Sequence, residues 1–185
     1  MSNDANNPDD ARFLAIRLIK PKSADPIHVT SAAFAYCEPI PHKHSAYGEM
    51  HSPPISFDNV PPETKTLTLL LEDPDAPSAK PFVHWVLVNF PPRTPYLREN
   101  LPTFDFLPDL GDALQGKNSA GKVGYYGMKP PKGHPPHNYH FSVFAVDKEL
   151  TFAKDEPVDR DTVLKKLDGH VLAMGDLVGT FAPPK

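Results

Sequence analysis

Between Leu67 and Phe90 the chain reads LTLLLEDPDAPSAKPFVHWVLVNF, and this stretch narrows the choice of folds more than any other. Leu67, Leu69, Leu70 and Leu71 form an apolar run of strand length, and Val83, Trp85, Val86, Leu87 and Val88 form a second. The segment between them, Asp73-Pro74-Asp75-Ala76-Pro77, cannot be helical. Each proline lacks a backbone donor and drives the residue before it out of the α region. Two buried strands joined by a stiff acidic loop predict a sheet that carries carboxylates at one end.

The rest of the chain repeats this alternation of apolar runs and proline-rich loops. Arg12–Lys20 alternates as a strand, Val29–Tyr36 as a weak alanine-rich one, and Glu38–Phe57 reads as loop with His42, His44 and His51. Pro91–Gly133 has almost no periodicity, which is long for a structureless connection and points to a functional surface or to short elements. Asn138–Val146 is a strong strand with Tyr139, Phe141, Val143 and Ala145 on one face and His140, Ser142, Phe144 and Val146 on the other. After Pro157 the spacing of Val163, Leu164 and Leu167 becomes helical, with Asp159 or Asp161 as the cap. A second short helix is expected over His170–Leu177, and a last strand at Gly179-Thr180-Phe181. The pattern predicts an all-β sandwich with short C-terminal helices.

The 24 prolines in 185 residues are far above the usual ~5%, but they are spread between apolar runs, so they stiffen loops and do not form a linker. Residues 1–11 read as a flexible arm, and residues 12–185 as a single domain. A net charge of −4 offers no basic face for nucleic acid. No run reaches the ~20 apolar residues of a membrane span. Met1–Asp10 lacks the basic and apolar regions of a signal peptide, so a cytoplasmic protein is expected. Cys37 stands alone, which excludes an intrachain disulfide and suggests a small packed hydrophobe.

Two groups of residues could carry chemistry. Phe82, His84, Val86, Val88 and Phe90 share parity, and the Asp-Pro loop could fold Asp73 beside His84. On pattern alone His84 is equally a core histidine, and Asp73 and Asp75 are equally turn residues. The second group lies in GYYGMKPPKGHPPHNYHF, Gly124–Phe141. His134, His137 and His140 recur at every third position, yet on a strand His137 and His140 face opposite sides, so no metal site is expected. His137 and Tyr139 share parity and a pocket. A hydrolase using Asp73, His84 and His137 as acid–base groups is the alternative to a binding protein, but no nucleophile has a recognisable setting.

In combination these residues resemble the phosphatidylethanolamine-binding proteins, also called Raf kinase inhibitor-like proteins. Asp73-Pro74-Asp75-Ala76-Pro77 with His84-Trp85-Val86 and Asn89 resembles the first signature of that family, and Tyr125, Gly127, Pro130-Pro131, Gly133, His137 and Tyr139 the second. Ser52-Pro53-Pro54 and Gly169-His170-Val171-Leu172-Ala173 are similar to the bacterial and archaeal branch. The likeness runs from about Phe13 to Phe181.

It implies a Greek-key antiparallel β-sandwich of two sheets with a small anion pocket at one end. The pocket would use Asp73, His84, His137 and Tyr139, with Asp75, Pro77, Tyr125, Gly127 and Pro131 shaping it. It also implies a protein that is not an enzyme and has neither cofactor nor metal. Such a protein would bind phosphate or a phosphoethanolamine-like anion and modulate a partner such as a kinase or protease. The tail around His170 would offer a homodimer face. Asn138 stands where the family usually has arginine, and Met128 and Lys129 where it has small residues or proline. A carboxylate beside a histidine favours the imidazolium, so phosphate affinity is expected to rise as pH falls through the histidine range.

Overall fold

Apolar residues on both faces of a six-stranded antiparallel sheet organise the computed structural model, which describes residues 13–185. The arm expected over residues 1–11 lies outside the described residues. A helical turn, α1 (Ala15–Leu18), precedes β1 (His28–Thr30), β2 (Ile55–Asp58), β3 (Thr66–Asp73) and β4 (Phe82–Phe90). Short strands β5 (Tyr96–Leu97), β6 (Phe106–Leu107) and β7 (Ala113–Gln115) follow, then β8 (His137–Val146), α2 (Arg160–Leu167) and β9 (Val171–Phe181). The large sheet has the order β6-β7-β4-β3-β8-β9, and a three-stranded sheet has the order β1-β2-β5. After the β3–β4 hairpin the chain makes a long excursion before β8 returns to the free side of β3, which gives the expected Greek-key sandwich.

The core between the sheets holds Ile55 and Leu97 from the small sheet and Leu69, Trp85, Phe141 and Leu177 from the large one. The opposite face of the large sheet is also buried, through Leu70, Val86 and Phe144 packed under Ala15, Val163 and Leu167 of the helices. Both faces of β8 are therefore apolar, as its residues predict. A buried ion pair fastens this outer layer. Glu72 Oε1 accepts from Arg160 Nε and Glu72 Oε2 accepts from the Ala15 amide at 2.9 Å, while Arg160 also reaches the Phe13 carbonyl.

Several local expectations are corrected. The N-terminal segment is a helical turn, not a strand, because Ala15 and Ile19 lie four apart and pack together on the outer face. The alanine-rich strand shrinks to His28–Thr30. The tail has one helix, α2, capped by Asp159 Oδ1 accepting from the Thr162 amide at 2.9 Å. Residues 170–177 form no second helix. They open β9, where Ala173, Gly175 and Leu177 alternate toward the inter-sheet core and Val171, beyond a bulge, packs on the outer face, so only one of the two expected tail helices forms. The glycines hide that alternation. A Cβ on Gly175 would lie 1.9 Å from the Ile27 carbonyl oxygen, and one on Gly179 would lie 2.5 Å from Ile40 Cγ1. Cys37 is exposed at φ +63°, not packed.

Candidate functional site

The hairpin of β3 and β4 contains two bulges, and one of them builds the site. Leu71 pairs with Trp85, but Glu72 pairs with Val83, so His84 is the extra residue between them. A bulge turns one side chain away from its parity. Val83 and Val86 point to the outer layer, whereas Trp85 points to the inter-sheet core and His84 stands beside Tyr139, at 5.3 Å between ring centroids. The expected shared face of His84 with Val86, Val88 and Phe90 is thus broken by the bulge. Tyr126 locks the ring in place. Its amide donates to the His84 carbonyl at 2.9 Å, and its own carbonyl oxygen lies 2.8 Å from His84 Nδ1.

Asp73 closes β3. One oxygen, Oδ1, accepts from the Asp75 amide at 2.8 Å in a tight turn, and Oδ2 lies 2.8 Å from His137 Nδ1. Asp75 in turn accepts from the amide of Asn138 at 2.7 Å and from its side-chain nitrogen at 2.9 Å. The proline-stiffened loop is thereby tied to the start of β8, and Asn138 has a role in that tie. The partner of Asp73 is His137, not His84 as the loop suggested. The register explains this: the last β3–β8 pair is Glu72 with His140, which sets Asp73 one step further along, beside Tyr139 and His137.

Asp73, His84 and His137 meet at a cavity of about 290 Å³ that is also lined by Pro77, Phe82, Tyr126, Lys129 and Pro131. All three polar residues are buried, at 3%, 3% and 2% exposure. Burial pushes the His84 imidazole down to about 4, against the pull of its carbonyl acceptor. His84 is then neutral at neutral pH with its proton on Nδ1, which leaves Nε2 bare. Burial also raises the Asp73 carboxyl, opposed by the hydrogen bond from His137. Tyr139 lies behind the two imidazoles with a buried hydroxyl that has no hydrogen-bond partner among the described residues. Burial, then the Asp73 charge, raises its phenol.

The other predicted residues lie around this cavity and not on its surface. Tyr125 is buried against Trp85 and donates to the His44 carbonyl at 2.6 Å. Gly127 packs on the 44–46 backbone, where a Cβ would meet Ala46 N at 2.5 Å. Asp75 acts through Asn138. Met128 is fully buried with its sulfur 3.3 Å from the Tyr125 hydroxyl, so it does not plug the cavity. Tyr126, Phe82, Ala76 and Ser78 line the cavity without having been among the predicted site residues, and Lys129, expected only as a departure from the family pattern, lies on its wall. Tyr126 stands next to the motif residue Tyr125, and its backbone pairing with His84 sets it on the wall. His140 faces the other side of the sheet, paired with Asp176 at 2.8 Å.

A larger cavity of about 500 Å³ lies among Tyr96, Phe104, Phe106 and several prolines, with Arg98 and Asp109 as its charged lining residues and no histidine. No three-residue His, Cys, Asp or Glu group suited to a metal occurs among the described residues. No described helix is long and apolar enough to cross a membrane.

Residues 30–182 match the family model described as "PBP: Phosphatidylethanolamine-binding protein". A UPF0098 protein of Methanothermobacter thermautotrophicus is 43% identical over 143 residues, covering 77% of this chain and 89% of that protein. The solved phosphatidylethanolamine-binding protein homolog CT736 of Chlamydia trachomatis has a TM-score of 0.76 at 36% identity, over 87% of this chain and 100% of its own. Escherichia coli YbcL, described as a member of the mammalian PEBP family, has a TM-score of 0.74 at 28% identity with the same coverage.

Proposed function

Because the chain belongs to the phosphatidylethanolamine-binding protein family, we propose that it captures a small oxyanion, phosphate or a phosphoethanolamine-like headgroup, and acts by binding, not catalysis. The observation that carries this reading is the convergence of two buried imidazoles and the Asp73 carboxylate on one small cavity, with the exposed Lys129 on its wall. Lys129 brings a cation, and the histidines bring nitrogens whose partners on the protein side are already fixed. The size suits a headgroup. About 290 Å³ is at the lower edge of ordinary ligand pockets, too small for acyl chains.

The hydrolase alternative is less well supported. The serine that lines the cavity, Ser78, donates its hydroxyl to the Lys80 carbonyl at 2.6 Å and not to an imidazole. Each charged hydrogen bond contributes about 1.5–3 kcal/mol, and ordering and desolvation offset much of it, so capture in the micromolar-to-millimolar range is expected. A bound anion would then regulate contact with a protein partner such as a kinase or protease. Pull-down with and without competing phosphate tests that second step.

The first step is tested by titrating inorganic phosphate while following amide and imidazole NMR signals. Shifts centred on Asp73, His84, Tyr126 and His137 that vanish in His84→Ala support the site. Shifts that are scattered, or that survive the substitution unchanged, refute it.

A further inference from the structure

His137 uses both of its ring nitrogens. Nδ1 faces Asp73 Oδ2 at 2.8 Å, and Nε2 lies 3.2 Å from Nδ1 of His134. His134 is half-buried, on the loop that leads into β8. It is held there by its own amide, which donates to the Pro131 carbonyl at 3.1 Å, and by the stiff Pro135-Pro136 pair between the two histidines. With His84 Nδ1 on the Tyr126 carbonyl, and both nitrogens of His137 engaged, neither lining imidazole has a spare N–H to offer an anion.

We propose that His134 gates this pocket: in the empty site it closes the outer nitrogen of His137, and a phosphate-type oxyanion enters by replacing that contact with a bridge between two protonated imidazoles. This rests on the reading of the cavity as an anion site.

The argument is one of proton counting. Nitrogen-to-nitrogen contact between two imidazoles needs one proton between them. Asp73 holds a proton on His137 Nδ1, so a neutral His137 presents a bare Nε2 and accepts from His134 Nδ1–H. A second proton on the pair sets N–H against N–H and opens the contact. The two donors then point at the same space, and an oxyanion placed between them satisfies both. Opening and binding therefore occur together, with proton uptake.

The charged and titratable groups around the pair are consistent with this. Asp73 on β3 accepts from His137 Nδ1, and Asp75 lies behind it. His84 on β4 is neutral and is held by the Tyr126 carbonyl. Tyr139 on β8 is a neutral phenol, and Lys129 in the cavity wall adds attraction for the anion only.

The test uses the full chain and calorimetric titration of inorganic phosphate, run near pH 6 and pH 8 in buffers of different ionisation enthalpy to count protons taken up. Wild type is expected to bind with proton uptake. In His134→Ala the uptake falls and affinity drops about tenfold near pH 6, the effect of one lost charged hydrogen bond, but drops little near pH 8. His134→Gln keeps a hydrogen-bonding group without a titrating one and is expected to lose the uptake as well.

Imidazole NMR without phosphate gives an independent readout. The ring ¹⁵N signal of His137 Nε2 is expected to move in His134→Ala, where its contact with His134 Nδ1 is lost, and an unmoved signal argues against that contact. Repeating the titration with soluble phosphoethanolamine, and by sedimentation with phosphatidylethanolamine–phosphatidylcholine vesicles, distinguishes a free from a lipid-borne phosphate. Dependence on His134 in either arm supports the gate and names the source. Phosphate binding with unchanged affinity and proton uptake in His134→Ala overturns the gate alone. No phosphate binding by wild type overturns the gate together with the cavity reading.

Discussion

The buried His84 makes the protein lose stability in mild acid, by an amount that follows from its surroundings. The imidazole is 3% exposed and burial holds it down to about 4. In the unfolded chain it titrates at its ordinary value of about 6.5. Between these values the unfolded state binds a proton that the folded state refuses, so stability rises with pH across the window and is lost as pH falls through it. The full effect is about 3 kcal/mol, of which about 2.5 kcal/mol is gone by about pH 4.5. Asp73 and Glu72 act in the opposite direction. Burial raises both carboxyls, so each binds its proton earlier in the folded protein and contributes stability as pH falls. Their contributions are common to wild type and a histidine variant and cancel in the difference.

The assay is urea unfolding of wild type and His84→Gln at half-unit steps from about pH 7.5 to 4.5. Glutamine can donate to the Tyr126 carbonyl but cannot titrate, so the variant is less stable at neutral pH and its stability falls less steeply in acid. Wild type is expected to lose about 2.5 kcal/mol more than the variant over that range. Added phosphate should flatten the wild-type slope and leave the variant alone. Parallel pH profiles for the two proteins would refute the claim that His84 is held neutral.

Other perturbations test the frame that positions the site. Arg160→Ala strands the buried Glu72 carboxylate and is expected to cost about 3–5 kcal/mol by chemical denaturation; a loss below about 1 kcal/mol contradicts the fastening role of this pair. Gly179→Ala drives a methyl group into Ile40 and Phe34 and is expected to lower the melting temperature by about 5 °C, whereas an unchanged melt means that the Phe34–Ile40 segment yields freely. Asp73→Asn removes the charge that holds a proton on His137 Nδ1. Imidazole ¹⁵N shifts should show that preference lost and phosphate should bind about tenfold more weakly near pH 6; an unchanged tautomer argues against the Asp73–His137 hydrogen bond.

Strands β3, β4 and β8 were legible because each is a run of large apolar residues with a clear period. β9 was not, although it is the longest strand at 11 residues. Its inward positions include Ala173, Gly175 and Gly179, which are small because the 27–40 segment lies directly on them, and small residues erase the alternation that marks a strand. The excursion over residues 91–133 reads as loop because its strands are two or three residues long. It is anchored by Gln115, which accepts from Trp85 Nε1 at 2.7 Å and donates to the carbonyls of Pro102 and Phe104. A single polar residue joining β4 to the 102–104 segment leaves no periodic trace.

The candidate site was legible through its two motifs, which the fold brings to one cavity. Its internal pairing was not. Parity arguments fail at a bulge, and the bulge at His84 decides which way that ring points. The Asp73–His137 pair depends on the register between β3 and β8, which no local pattern records. Tyr125, Gly127 and Tyr139 belong to the packing behind the cavity, a distinction that burial reveals and motif membership does not.

The most direct test of the binding claim is a crystal structure of the protein soaked in phosphoethanolamine near pH 6. Tetrahedral density between His84 and His137, within reach of Lys129 and with the His134–His137 contact opened, is the predicted result. An empty cavity with the ligand seated instead among Tyr96, Phe104 and Phe106, or with no bound ligand at all, would contradict it.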